Sequence, residues 1–274
     1  MSSNLKQVIV SGHFDDIRSG DIRLLEEASK LGSLTVSLST DDAVQKSTGQ
    51  APKFPFAERL YVLNAVRYVT RVEPLHGEIK KDSFSSLTPC PDIWADWESP
   101  QNASRQSLCD QLALRYRIIL PRQLAGFPAA PSTAAVTSRK KIIVTGCYDF
   151  FHSGHVRFFE EVSAYGDLFV VVGHDANIRL LKGEGHPLVP ADERRYMVGS
   201  IRHVTEALVS TGDGWLDAEP EIQRIKPDIY AVNEDGDRGG KREFCEQRGI
   251  QYLVLKRLPA PGLPSRTSTD LRGF

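Results

Sequence analysis

The chain repeats itself. Val10-Ser-Gly12-His13-Phe14-Asp15 recurs 134 positions later as Val144-Thr-Gly146-Cys147-Tyr148-Asp149, and Glu26-Glu27, Gly32 and Asp41 find Glu160-Glu161, Gly166 and Asp175 at the same offset. Glu58-Arg59 answers Glu193-Arg194 at 135 positions, and Pro91-Asp92-Ile93 answers Pro227-Asp228-Ile229 at 136. That last register holds through Cys109/Cys245 and Gly126/Gly262. A drift this small implies a tandem duplication, so the fold must be one that half the chain can adopt alone. We place the first copy at residues 1–128 and the second at 139–274. The stretch 129–138, small, polar and proline-containing, reads as a linker.

Each copy alternates apolar strand-like runs with helical patterns, which predicts an α/β fold. In the second copy the expected strands are 141–145, 168–173, 204–210, 228–232 and 251–255. The expected helices lie near 155–165, 191–201, 216–225 and 241–248. Gly166 and Gly249 are placed to close two of them. Two Rossmann-like domains follow, each with a parallel, doubly wound sheet and a ligand crevice outside the carboxyl ends of its strands.

Composition narrows the class. A net charge of -1 offers no basic excess for nucleic acid. No apolar run is long enough to span a membrane, and Met1-Ser-Ser-Asn-Leu-Lys lacks a signal core. Four scattered cysteines without a Cys-x-x-Cys pair are expected to be reduced thiols in the cytoplasm.

The chemistry concentrates in Gly146-Cys-Tyr148-Asp149-Phe-Phe-His152-Ser-Gly154-His155. A strand, a glycine turn and a helix start together form a phosphate site, where backbone N–H groups and the helix dipole face one anion. His152 and His155 straddle the first helical turn, so both can reach one phosphate. A His-x-x-His pair also occurs as an ordinary surface pair or a partial metal site, and the rest of the chain has to decide. Lys182, the segment opening with Glu193-Arg194, Gly214-Trp215, Asn233-Glu-Asp235-Gly-Asp237 and Arg266-Thr267-Ser268-Thr269 all fall at predicted strand ends or just beyond them.

In this order the motifs resemble the signature of the cytidylyltransferase-like (His-x-Gly-His) nucleotidyltransferases, over essentially all of residues 140–270. The resemblance implies an enzyme in which His152, His155, Lys182 and Arg266 are catalytic. It implies nucleotide contacts from Gly146, Tyr148, Asp149, Gly154, Asp175, Arg194, Asn233, Asp235, Thr267, Ser268 and Thr269, and acceptor contacts from Trp215 and Asp237. Mg²⁺ would accompany the triphosphate, with Asp175 and Asp237 the nearest carboxylates and no dedicated metal cluster. Gly214-Trp215 and the Arg266 segment are similar to those of glycerol-3-phosphate cytidylyltransferases. The expected reaction is therefore transfer of CMP from CTP to a small phosphorylated alcohol, with release of pyrophosphate. Adenylyl transfer from ATP to a sugar phosphate, or nucleotide sensing without turnover, are the alternatives.

The first copy carries Arg18 and Asp21 where the second has His152 and His155, and Thr48 where the second has Lys182. It reads as a degenerate pseudo-domain. Related enzymes are usually dimers, which implies an internal pseudo-dimer, with a further homodimer open.

Overall fold

The apolar runs Val8-Ile9-Val10 and Ile142-Ile143-Val144 are buried at the centre of two separate sheets. The computed structural model describes residues 5–80, 83, 89–129, 137–268 and 271. The chain divides into two compact units, Met1–Gly126 and Phe127–Phe274.

In the first unit the elements are β1 (Gln7–Gly12), α1 (Ser19–Ser29), β2 (Ser33–Ser39), α2 (Asp41–Thr48), α3 (Phe56–Ala65) and β3 (Arg71–Leu75). They continue with β4 (Ile93–Trp97), α4 (Asn102–Gln111), β5 (Arg115–Ile119) and the single turn α5 (Pro121–Leu124). The second unit has β6 (Lys141–Gly146), α6 (Ser153–Ser163), β7 (Asp167–Val172), α7 (Asp175–Lys182), α8 (Ala191–Gly199) and β8 (Glu206–Val209). After these come α9 (Glu219–Ile225), β9 (Ile229–Asn233), α10 (Lys241–Gln247) and β10 (Gln251–Leu255). Both sheets are five-stranded, with the orders β3-β2-β1-β4-β5 and β8-β7-β6-β9-β10, and every pairing is parallel. The two units thus share one α/β topology, a doubly wound Rossmann-like sheet.

Shared residues do the same work in each unit. The Asp92 carboxylate accepts the N–H of Gln7 at 2.7 Å, and Asp228 accepts that of Lys141 at 2.8 Å, so each pins the start of the central strand. A Cβ at Gly32 would lie 2.1 Å from the Lys6 carbonyl oxygen, and one at Gly166 would lie 2.0 Å from that of Lys140. Gly166 therefore serves a close backbone approach, whereas Gly249, at φ +67°, closes its helix in the left-handed region.

Two elements differ from the sequence pattern. Asp175–Lys182 is a helix beyond those expected. Ile178 is buried while Leu180 and Leu181 are exposed, so its apolar residues do not share one buried face. The helix expected from 216 begins at Glu219, after a 3₁₀ turn at Gly214–Leu216; Pro220 sits in its first turn, where a missing N–H is harmless.

Candidate functional site

The site grows from the end of β6. Gly146 has no Cβ, and the Tyr148 ring folds back over it; a Cβ there would lie 2.7 Å from the ring. Tyr148 takes φ +55°, a strained value for a tyrosine, and its ring is buried. That ring stands edge-on to His155 at 5.2 Å between centroids and packs on Phe159 at 5.4 Å. Tyr148 thus buttresses the imidazole from behind. Phe14, at φ +46°, covers Gly12 in the same way in the first unit.

His152 is the N-cap of α6, and its Nδ1 accepts the N–H of Gly154 at 3.0 Å. A neutral imidazole that accepts at Nδ1 carries its proton on Nε2, so His152 offers a donor at the helix N-terminus. His155 lies one turn on, its ring stacked on that of His152 at 3.9 Å and 26°. Its Nδ1 is buried with no hydrogen-bond partner among the described residues. Burial, then the neighbouring His152, Arg257 and Lys182, hold the His155 imidazole well below its ordinary pKa, so it is neutral at pH 7. Gly154 makes the pair possible. A Cβ there would meet the His152 ring at 2.9 Å and stand 3.6 Å from the Arg266 carbonyl oxygen.

Several expected residues converge here. Gly154, Asn233 and Arg266 line one cavity together with Lys256, Arg257 and Ser265. The Oδ1 of Asn233 is buried without a partner among the described residues, a second polar atom held dry at the same place. Thr267 and Ser268 are half-buried beside Arg266, and Thr269 lies outside the described residues. Lys182, in the last turn of α7, is exposed yet close enough to act on both Cys147 and His155.

Arg257 is absent from the sequence reading. It pairs with Asp235, donates to the Arg266 carbonyl at 3.2 Å and acts on His155. Asp235 is thus engaged by a cation. The one available signal was the basic pair Lys256-Arg257 just past the carboxyl end of β10.

Other expected residues make hydrogen bonds within the fold. The Asp149 carboxylate accepts the N–H groups of Leu188 and Val189 at 2.9–3.0 Å. The Arg194 side chain is fully buried. Its guanidinium donates to the carbonyls of Val189 at 2.7 Å, Cys147 at 2.6 Å and Gly173 at 2.8 Å, and to the Asp175 carboxylate at 2.6 Å. This clamp ties three loops together. The first unit has its equal: Asp15 accepts from Lys53 and Phe54, and Arg59 donates to the carbonyls of Phe54, His13 and Ser39 and to Asp41.

A second surface lies beyond β8. The Asn177 side chain accepts from the Gly214 N–H at 2.8 Å and donates to its carbonyl at 3.0 Å, fixing a turn at φ +82°. Trp215 on that turn lies over Gly239 and Gly240 and is 53% exposed. Leu180 and Leu181 on α7 and Leu188 after it are also exposed. Asp237 is engaged by the Tyr252 hydroxyl at 2.9 Å and by Arg242 at 3.4 Å. Among the described residues no group of three or more His, Cys, Asp or Glu side chains could hold a metal ion. The four cysteines are free thiols, and no described helix is long and apolar enough to cross a membrane.

A cytidylyltransferase-like family model matches residues 143–260. The chain is 36% identical over 120 residues to an FAD synthase of Ferroglobus placidus, covering 43% of this chain and 75% of that protein. It is 38% identical over 123 residues to an FAD synthase of Thermococcus kodakarensis, covering 43% and 80%. A third FAD synthase, of Aciduliprofundum boonei, is 34% identical over 119 residues, covering 42% and 76%.

Proposed function

The chain belongs to the cytidylyltransferase-like nucleotidyltransferases, and from that premise we propose that its second unit transfers AMP from ATP to a phosphate monoester carrying a flat aromatic ring. An acceptor phosphate oxygen attacks the α-phosphorus, the α–β bridging bond breaks, and pyrophosphate leaves with its electron pair. FMN is the first acceptor to test, because the relatives are FAD synthases and FAD is FMN joined to AMP. The observation that carries the reaction class is the stacked pair His152–His155 on the first turn of α6.

Both reactants are anions, so the site has to offset repulsion and hold the groups in line. His152 donates through Nε2–H, and neutral His155 donates without adding a charge that would bind ground state and transition state alike. Lys182, Arg257 and Arg266 supply fixed positive charge. Asn233, Thr267, Ser268 and Thr269 are the further nucleotide contacts. A phosphate monoester is ionised at neutral pH, so no general base is required.

Asp149, Asp175 and Arg194 act as positioning residues, holding the loops from which the imidazoles and Lys182 project. Tyr148 acts likewise through His155. Trp215 supports the acceptor reading, since an exposed indole suits a planar ring and has little to offer glycerol phosphate. Asp175 and Asp237 are each committed to protein partners, so Mg²⁺ is best placed on the triphosphate oxygens and water, arriving with its substrate. Cytidylyl transfer to a glycerol-phosphate-like acceptor is the second reading, favoured by the sequence Arg266-Thr-Ser-Thr.

We assign the first unit as a duplicated copy without transferase activity. Its shared topology, clamp and glycine approaches support the duplication. The Asp21 carboxylate accepts the N–H of Arg18 at 2.8 Å, where the second unit presents an imidazole. A pyrophosphate-release screen tests the whole reading: ATP, CTP, GTP and UTP, each against FMN, glycerol 3-phosphate and a sugar phosphate. The expected result is release with ATP and FMN. Release confined to CTP with glycerol 3-phosphate would replace it by the second reading.

A further inference from the structure

The first unit holds a cleft of about 700 Å³ that this reaction does not use. That is the size range of small-molecule sites, roughly 300–1,000 Å³. It opens at the carboxyl ends of β1, β2 and β3 and over Trp94 of β4. The sheet order places it at the switch between β1 and β4, where open α/β sheets take their ligands. Its lining is cationic and hydroxylic. Lys46, Lys80 and Arg105 face a single acid, Glu78, with His13, Ser47 and Ser104 among the polar groups around them.

A built network lies at one wall. Asp96 is 2% exposed and is held by the Arg105 guanidinium, the Tyr116 hydroxyl at 2.8 Å and the Trp97 N–H at 3.0 Å. Asn102 donates to the Tyr116 oxygen at 2.7 Å. Arg105 also lies over the Trp94 ring at 5.5 Å. Its remaining guanidinium donors have no partner among the described residues. Burial, helped by Asp96, pushes the Tyr116 phenol up to about 12, so it remains a donor.

The second unit has only a looser counterpart: Tyr252, at the position of Tyr116, engages Asp237, which pairs with Arg242 at 3.4 Å and is 35% exposed rather than buried. At the positions of Asp96 and Arg105 it carries Val232 and Lys241, and Lys241 donates to the Gly236 carbonyl at 3.0 Å. Burying an ion pair costs desolvation energy that a valine avoids. A copy kept only for its sheet would have no use for that pair at its ligand edge.

We propose that this cleft binds a phosphate monoester without transferring anything to it, with Arg105 and Lys46 gripping the dianion. Asp96 fixes the planar guanidinium, which suits two phosphate oxygens at once. Lys46 adds a point charge from α2, and Ser47 and Ser104 add hydroxyl donors. Catalysis is excluded at the same edge because Asp21 would repel a triphosphate where His155 would receive one.

Amide hydrogen exchange on the full chain tests this, because it locates binding unit by unit. FMN, glycerol 3-phosphate and ribose 5-phosphate are added separately at millimolar concentration, each beside its dephosphorylated parent. At least one phosphate ester is expected to protect residues 43–47 and 101–108, and its parent is expected not to. Lys46→Ala, an exposed site whose loss leaves the fold intact, should weaken that protection by about tenfold, the effect of one charge-assisted contact. Arg105→Gln should abolish it, and Arg105→Lys should restore part of it. Pyrophosphate release by the second unit should be unchanged in Lys46→Ala, which separates this proposal from the transferase reading. Absence of protection by all three esters, equal protection by the parents, or full protection in Lys46→Ala would each overturn it.

Discussion

Replacing Arg194 with methionine should damage the fold before it damages the chemistry. Methionine keeps much of the aliphatic volume and deletes four hydrogen bonds. The Asp175 side chain is 40% exposed and can be rehydrated when its partner goes. Gly173 is buried, while Cys147 and Val189 are half-buried, so their carbonyls are only partly reached by water. An unsatisfied buried polar group costs about 1–3 kcal/mol, and breaking a buried ion pair about 3–5. With the aspartate recovering solvent, we expect the lower end, about 3 kcal/mol. Urea denaturation slopes of about 1–3 kcal/mol per molar make that a midpoint shift of roughly 1–3 M. Turnover should fall as well, because the Cys147 and Gly173 loops carry the imidazole pair and α7. Arg59→Met removes the matching clamp of the first unit and should lower stability similarly while pyrophosphate release stays within a few-fold. If Arg194→Met left the midpoint unmoved and abolished turnover, Arg194 would be a substrate contact and the clamp argument would be wrong.

Three further outcomes are expected. His155→Ala should lower the pyrophosphate-release rate by about 10²–10³, the usual effect of losing one preorganised donor, with an unchanged circular dichroism spectrum. Trp215→Ala should raise KM for FMN by about tenfold and leave the nucleotide KM within twofold, as loss of a stacking platform does; steady-state kinetics with each substrate varied in turn decides it. The depressed pKa of His155 fixes a pH trend. Below the ordinary histidine value of 6.5 the unfolded chain takes up a proton that the folded site resists, so stability should fall as pH drops from 6.5 toward the folded pKa. Urea midpoints at pH 7 and pH 5.5 should therefore differ less in His155→Gln than in the parent chain.

The sheet was legible because burial at a parallel strand's centre leaves continuous apolar runs, and because each run appeared twice. Strand ends were less legible: β8 starts at Glu206, two residues past the apolar onset at Val204, which closes a turn with Ile201. The imidazole pair was readable from local spacing alone. The clamp was not, since Asp149 and Arg194 act mostly on backbone atoms 21 to 47 positions away and their sequence neighbours carry no sign of it. Arg257 was hidden for the same reason, its carboxylate partner lying 22 positions earlier. α7 was missed because helices announce themselves through a buried apolar stripe, and here two leucines face outward.

Isotope transfer tests the central claim most directly. ATP labelled at the α-phosphorus is incubated with FMN, Mg²⁺ and the full chain, and the products are separated and weighed by mass spectrometry. The α-label should pass into a product heavier than FMN by one adenylyl group (AMP less water), with pyrophosphate released in equal amount and no product from His155→Ala. Label retained in ATP or AMP, or transfer of a γ-label instead, would contradict attack at the α-phosphorus and with it the assignment of the second unit.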